Sequence, residues 1–178
     1  MERKSSKVNF KLFIPEKTLI VMAENLEKLK KSVKEHSENL AKLGHDLSEI
    51  QFRYKIIENI TNEYWKNRIE KFKKYSEKGK EYYFQAHALI NLVDKEQSGL
   101  FLLSISKLRQ LEVNLEKIML EVMQNPSVIK SKDKQQSKWS KELREQLVEA
   151  SNKCLDHETS MNKVFREFYE SKLKKILE

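Results

Sequence analysis

The feature that most constrains this chain is an apolar stripe that keeps its spacing over forty positions. Leu19, Met22, Leu26, Leu29, Val33, His36, Leu40, Leu43, Leu47, Ile50, Tyr54 and Ile57 follow one another in alternating steps of three and four. Such steps form the seam of an α-helix that packs lengthwise against other helices. Little in the chain would interrupt a helix: its 178 residues include three Gly and two Pro, and 35% are charged against 39% apolar. That composition excludes collagen-like and disulfide-scaffold chains and argues against an all-β domain. A chain of this length is expected to form one domain.

Three helices follow from the pattern. Pro15 suits a first helical turn, where its missing N–H is no loss, so helix 1 is expected over residues 15–59 with Gly44 inside it. A capping box at Asp46 and Glu49 would instead break it there. The Asn and Thr residues of positions 59–62 favour caps over helix interiors. Helix 2 is expected over 62–124, on a face of Tyr64, Trp65, Ile69 and Phe72 and later Leu108, Leu111, Leu115, Ile118 and Val122, with Gly79 and Ser98-Gly99 as candidate break points. Asn125-Pro126 ends it, because the residue before proline is pushed out of the α region. Helix 3 is expected over 138–178, with Leu143, Leu147, Ala150, Cys154, His157, Met161, Val164 and Phe168 on one face. At about 1.5 Å per residue the rods would measure roughly 65, 93 and 60 Å. The expected fold is all-α, an elongated antiparallel three-helix coiled-coil bundle. Its narrow seam would leave Trp65, Tyr82, Tyr83, Phe84, Phe101 and Trp139 to be covered by something else, which favours a homodimer.

Catalytic and metal chemistry find no foothold. The residues three before His36, His45, His87 and His157 are Val33, Lys42, Phe84 and Cys154, so the Glu-x-x-His pattern of carboxylate-bridged metal bundles is absent. Cys154 and His157 share a face but lack the further ligands zinc requires, and read as packed core residues; His36 reads as a core or dimer-register residue. Phosphate-binding glycine loops and nucleophile elbows are missing. No catalytic residue, metal or cofactor is expected, and rods offer few of the concave pockets that catalysis uses.

Charge supplies the functional candidates. Thirty-five Lys and Arg against 27 Asp and Glu leave +8 and a pI near 9.3, which favours anionic partners. On the second helix Lys71, Lys74 and Lys78 share a face. Lys130, Lys132, Lys134 and Lys138 crowd the connection to the third, where a basic loop at the tip of a rod could meet an anionic bilayer. The first 14 residues combine Arg3, Lys4, Lys7 and Lys11 with Phe10, Phe13 and Ile14, either an interfacial membrane-inserting segment or a hydrophobic lid on the bundle. Acidic residues interspersed along every helix argue against nucleic acid. Cys154 is the single cysteine, the longest apolar run (residues 19–23) is too short for a secretory signal, and no stretch reaches the length of a membrane span. A cytoplasmic, peripherally membrane-attached protein is expected.

Two stretches resemble the BAR-type helical membrane-binding family. Residues 35–47, with Leu40-Ala41-Lys42-Leu43-Gly44 ahead of Leu47, are similar to its first-helix pattern of a small-residue face followed by leucine. Residues 164–177, with Phe165, Phe168, Lys172 and Ile176, are similar to its last-helix pattern. The resemblance implies a homodimer on acidic or phosphoinositide-containing membrane, without enzymatic activity, its lysines at the tip and along helix 2. The function expected is a curvature-sensing or scaffolding dimer on anionic membranes. The alternative is a coiled-coil structural subunit of a cytosolic or cytoskeletal complex, its stripes meeting a helical protein partner and its lysines only solvating it.

Overall fold

The structure, a computed structural model, describes residues 16–50, 52–54, 61–93, 95–96, 98–126, 128 and 138–178, with side chains from residue 20 in the first helix and from residue 139 in the last. These residues form four long antiparallel helices: α1 (Glu16–Ile50), α2 (Asn62–Leu92), α3 (Gly99–Gln124) and α4 (Lys138–Phe168). A π-helical segment (Tyr169–Leu173) and a last turn, α5 (Lys174–Leu177), continue α4. No strand occurs among the described residues.

The all-α expectation is met, but the bundle has four helices where three were expected. What reads as one rod over residues 62–124 is α2 and α3, reversing direction between Val93 and Ser98. Gly79, the other candidate break point, lies inside α2. The Val93 N–H bonds Ile90 O, and the Ser98 N–H and Oγ both bond Lys95 O, so the reversal satisfies helix-end backbone groups locally. Burial is the physical reason for the turn. Folding α3 back lays Phe101 against Phe165 and Phe168 of α4, ring centroids 5.3 Å apart in both pairs, and Trp65, Tyr82 and Phe101 are all buried within one chain. Three of the six side chains expected to need a partner's cover are therefore covered by the chain itself. Phe84 remains 70% and Trp139 45% exposed.

Helix α1 runs through Gly44 without a break at Asp46, but stops at Ile50 rather than at residue 59. Residues 52–54 leave the helix because their aromatic rings are buried across the bundle: Phe52 lies 5.5 Å from Phe72 and Tyr54 packs edge-on against Trp65. The Tyr54 N–H bonds Ser151 Oγ and Arg68 Nη1 bonds Arg53 O, which replaces the lost helical partners. Thr61 then caps α2, its hydroxyl accepting the Tyr64 N–H at 3.1 Å.

The α1–α2 and α3–α4 pairs pack along their lengths, while α1 meets α4 and α5 over a short stretch. That leaves one seam of the bundle partly open. No helix among the described residues is long and apolar enough to cross a membrane.

Candidate functional site

At the centre of the bundle, two carboxylates occupy stripe positions that the neighbouring sequence fills with apolar side chains. Glu112 stands in the series Ile105, Leu108, Glu112, Leu115, Met119, and Glu158 in Leu147, Cys154, Glu158, Met161, Phe165; both carboxylates are buried. Tyr75 donates its hydroxyl hydrogen to Glu158. Arg109 Nη1 donates to Glu112 Oε2 at 3.1 Å, while Glu112 Oε1 is buried without a partner. Burial pushes both carboxyls up to about 7, only partly opposed by Tyr75 at Glu158 and by Arg109 at Glu112. The helix backbones leave room for this layer at one place: a Cβ on Gly79 would sit 2.0 Å from Glu112 Oε1.

Cys154 and His157 stand beside this layer. Burial pushes the Cys154 thiol up to about 12, so it is not poised as a nucleophile. His157 Nε2 lies 2.8 Å from Ser104 O, and His36 Nδ1 lies 2.7 Å from Gln85 Oε1 across α1 and α2. Among the described residues no three His, Cys, Asp or Glu side chains are placed to hold a metal ion.

Of the lysines singled out from the sequence, Lys71, Lys74 and Lys78 lie in α2. Lys78 Nζ lies 3.4 Å from both Asp46 and Glu81. Lys74 and Lys78 share a small hollow with Asp46, Glu49 and Glu77, and Lys71 is half-buried. Lys130, Lys132 and Lys134, with Phe10, Phe13 and Ile14, lie outside the described residues, and Lys138 is described only as the first residue of α4.

Six of the exposed large apolar residues gather at the end of the bundle where α1 starts. His36 opposite Gln85 sets an antiparallel register that brings Leu29 opposite Leu92, the last residue of α2. Asn162 against Gly44 likewise brings Lys28 opposite Glu178. Everything before Leu29 in α1 therefore projects beyond its neighbours, about 20 Å of helix. Every residue from 20 to 28 is exposed, including Ile20, Val21, Met22 (57%) and Leu26. Leu100 and Leu103, near the start of α3, are exposed at the same end.

Beside the projection lies the incompletely closed seam between α1 and α4, a groove of about 950 Å³. Leu40, Ala41, Phe165, Tyr169 and Leu177 supply its apolar surface, and Lys30, Lys31, Lys34 and Arg166 its cations, against Glu27 and Glu38. Small residues line the α1 wall. The Ser37 hydroxyl donates to Val33 O and that of Ser48 to Gly44 O and His45 O, so their polarity is turned back onto their own helix. The π-helical segment borders the groove from the α4 side; it buries Leu173 and sets Leu177 against α1.

No protein-family model, curated protein or solved structure matches the chain. The projecting end was legible as Leu19, Met22 and Leu26 in the heptad stripe, but nothing in the sequence marked where the bundle would stop covering it. The groove was missed, although a second three-four stripe (Glu27, Lys31, Lys34, Glu38, Ala41, His45) could have indicated it. Glu112 and Glu158 were also missed; a carboxylate in a core stripe is the signal that marks them.

Proposed function

We propose that this protein is a non-catalytic helical scaffold that assembles by pairing the projecting end of α1 with a second copy of the chain. The observation that carries the reading is the continuity of one seam. Val33, Leu40, Leu43 and Leu47 are buried in the bundle, and the same stripe continues outward through Leu26 and Met22 with nothing covering it. An amphipathic helix end with an uncovered seam is half of a coiled-coil contact. The local charge favours a protein surface over an anionic bilayer, because the projecting residues 16–28 carry Glu16, Glu24 and Glu27 against Lys17 and Lys28 and have no positive excess. Carboxylates set among the inserting residues would be repelled by acidic headgroups. This is the coiled-coil reading of the sequence, with the expected homodimer as its assembled state.

Sedimentation equilibrium tests it. The wild-type chain is expected at twice its 21.3 kDa mass, and the Met22→Glu, Leu26→Glu variant at the monomer mass with unchanged helix content. A wild-type monomer would sink the reading. If that monomer also sedimented with anionic but not neutral vesicles, the membrane scaffold would take its place.

A further inference from the structure

The projecting end and the groove lie on the same helix, and each has what the other lacks. The groove-facing positions of α1 (Glu27, Lys31, Lys34, Glu38, Ala41, His45) continue backward in heptad phase to Glu24 and Ile20 on the projection. The groove wall holds Lys30, Lys31, Lys34 and Arg166 against Glu27 and Glu38, an excess of positive charge, while the projecting residues 16–28 carry Glu16, Glu24 and Glu27 against Lys17 and Lys28, a slight excess of negative charge. Among the described residues Lys34 lies 4.0 Å from Glu38 with both side chains exposed, and such a contact contributes little.

We infer that the groove between α1 and α4 is the receptor for the projecting α1 end of a second copy, in a reciprocal antiparallel contact. This deepens the pairing proposed above and rests on it. A two-fold axis passing near Leu29 sets Glu24 of one copy opposite Lys34 of the other and Glu27 opposite Lys31, and repeats both contacts by symmetry. Ile20 then reaches the stretch of α1 where Ser37 and Ala41 keep the wall low enough for a second helix to approach closely. The contact is isologous and closes at two copies. The chain's own first 15 residues are the poorer occupant, because Arg3, Lys4, Lys7 and Lys11 repeat the charge of its rim.

Charge reversal at exposed positions tests the receptor separately from the pairing. Dimer dissociation constants would be measured by sedimentation equilibrium for Glu24→Lys, Glu27→Lys, for Lys31→Glu, Lys34→Glu, and for the four changes combined. Circular dichroism would check that each variant folds. Each double variant places like charges across the axis and is expected to weaken the dimer by about tenfold or more. The quadruple variant exchanges the signs on both sides and is expected to return within about threefold of wild type. Double variants that dimerise like wild type, or a quadruple variant that stays as weak as the doubles, would overturn the groove as receptor. Pairing through Met22 and Leu26 would survive either result, whereas a monomeric wild type would remove both.

Discussion

Two glycines of this chain sit in helix interiors, and their surroundings give opposite expectations for the same substitution. Alanine gains about 1 kcal/mol of helix propensity over glycine at either position. At Gly79 the new methyl would meet the buried Glu112 carboxylate, which would have to leave its bond to Arg109 to make room. At Gly44 it would meet Asn162 Oδ1 at 2.7 Å, the end of a half-buried side chain on the rim of the groove that can swing aside. Gly79→Ala is therefore expected to destabilise the fold by about 1 to 2 kcal/mol, and Gly44→Ala to leave it unchanged or slightly more stable. Urea denaturation of the two variants checks the contrast. Adding Glu112→Ala to Gly79→Ala should recover much of the loss, because the clash and the buried charge disappear together.

Among the elements, α2 depends most visibly on a local device. Its first turn begins directly after the aromatic crossing of residues 52–54, and the Thr61 hydroxyl bonds the Tyr64 N–H there. Thr61→Ala should cost about 1 kcal/mol in chemical denaturation, and Thr61→Asp, which keeps an acceptor and adds a charge favourable to the helix N-terminus, should recover it. The Asn and Thr residues at 59–62 made this start legible in the sequence. The end of α1 was not legible: Tyr54 fits the heptad register perfectly well, and it leaves the helix because its ring packs on Trp65, a contact that exists only when two helices are already side by side.

For the molecule as a whole, the buried carboxylates tie stability to pH. Burial raises Glu112 and Glu158 from 4.5 to about 7 in the folded chain, so folding favours their protonated forms. Their contribution is fully present below about pH 4.5 and is lost as pH rises to about 7, above which the folded chain holds both charges at full penalty. The thermal midpoint is expected to fall between pH 5 and pH 8. Glu158→Gln keeps an acceptor for the Tyr75 hydroxyl without the charge. It should raise the stability at pH 8, by on the order of 3 kcal/mol at most, and with it the midpoint, and change both little at pH 5. A calorimetric series over that range checks both the slope and its loss. An equal gain for Glu158→Gln at both pH values would mean that the carboxylate is not the titrating group.

The helical character of this chain, the long apolar seams of its helices, and the points where α2 begins and α3 ends are all legible in the order of its residues. These follow from short-range rules of spacing and capping that act within a few residues of each other. Packing of helix on helix sets the rest: the middle rod folds into two helices, Trp65, Tyr82 and Phe101 are covered within one chain, and α1 outruns its neighbours to leave Met22 and Leu26 bare. Those outcomes depend on which seams find each other and on the relative lengths of the helices once paired. A heptad stripe states that a helix has a partner; it does not state which one, or for how many turns.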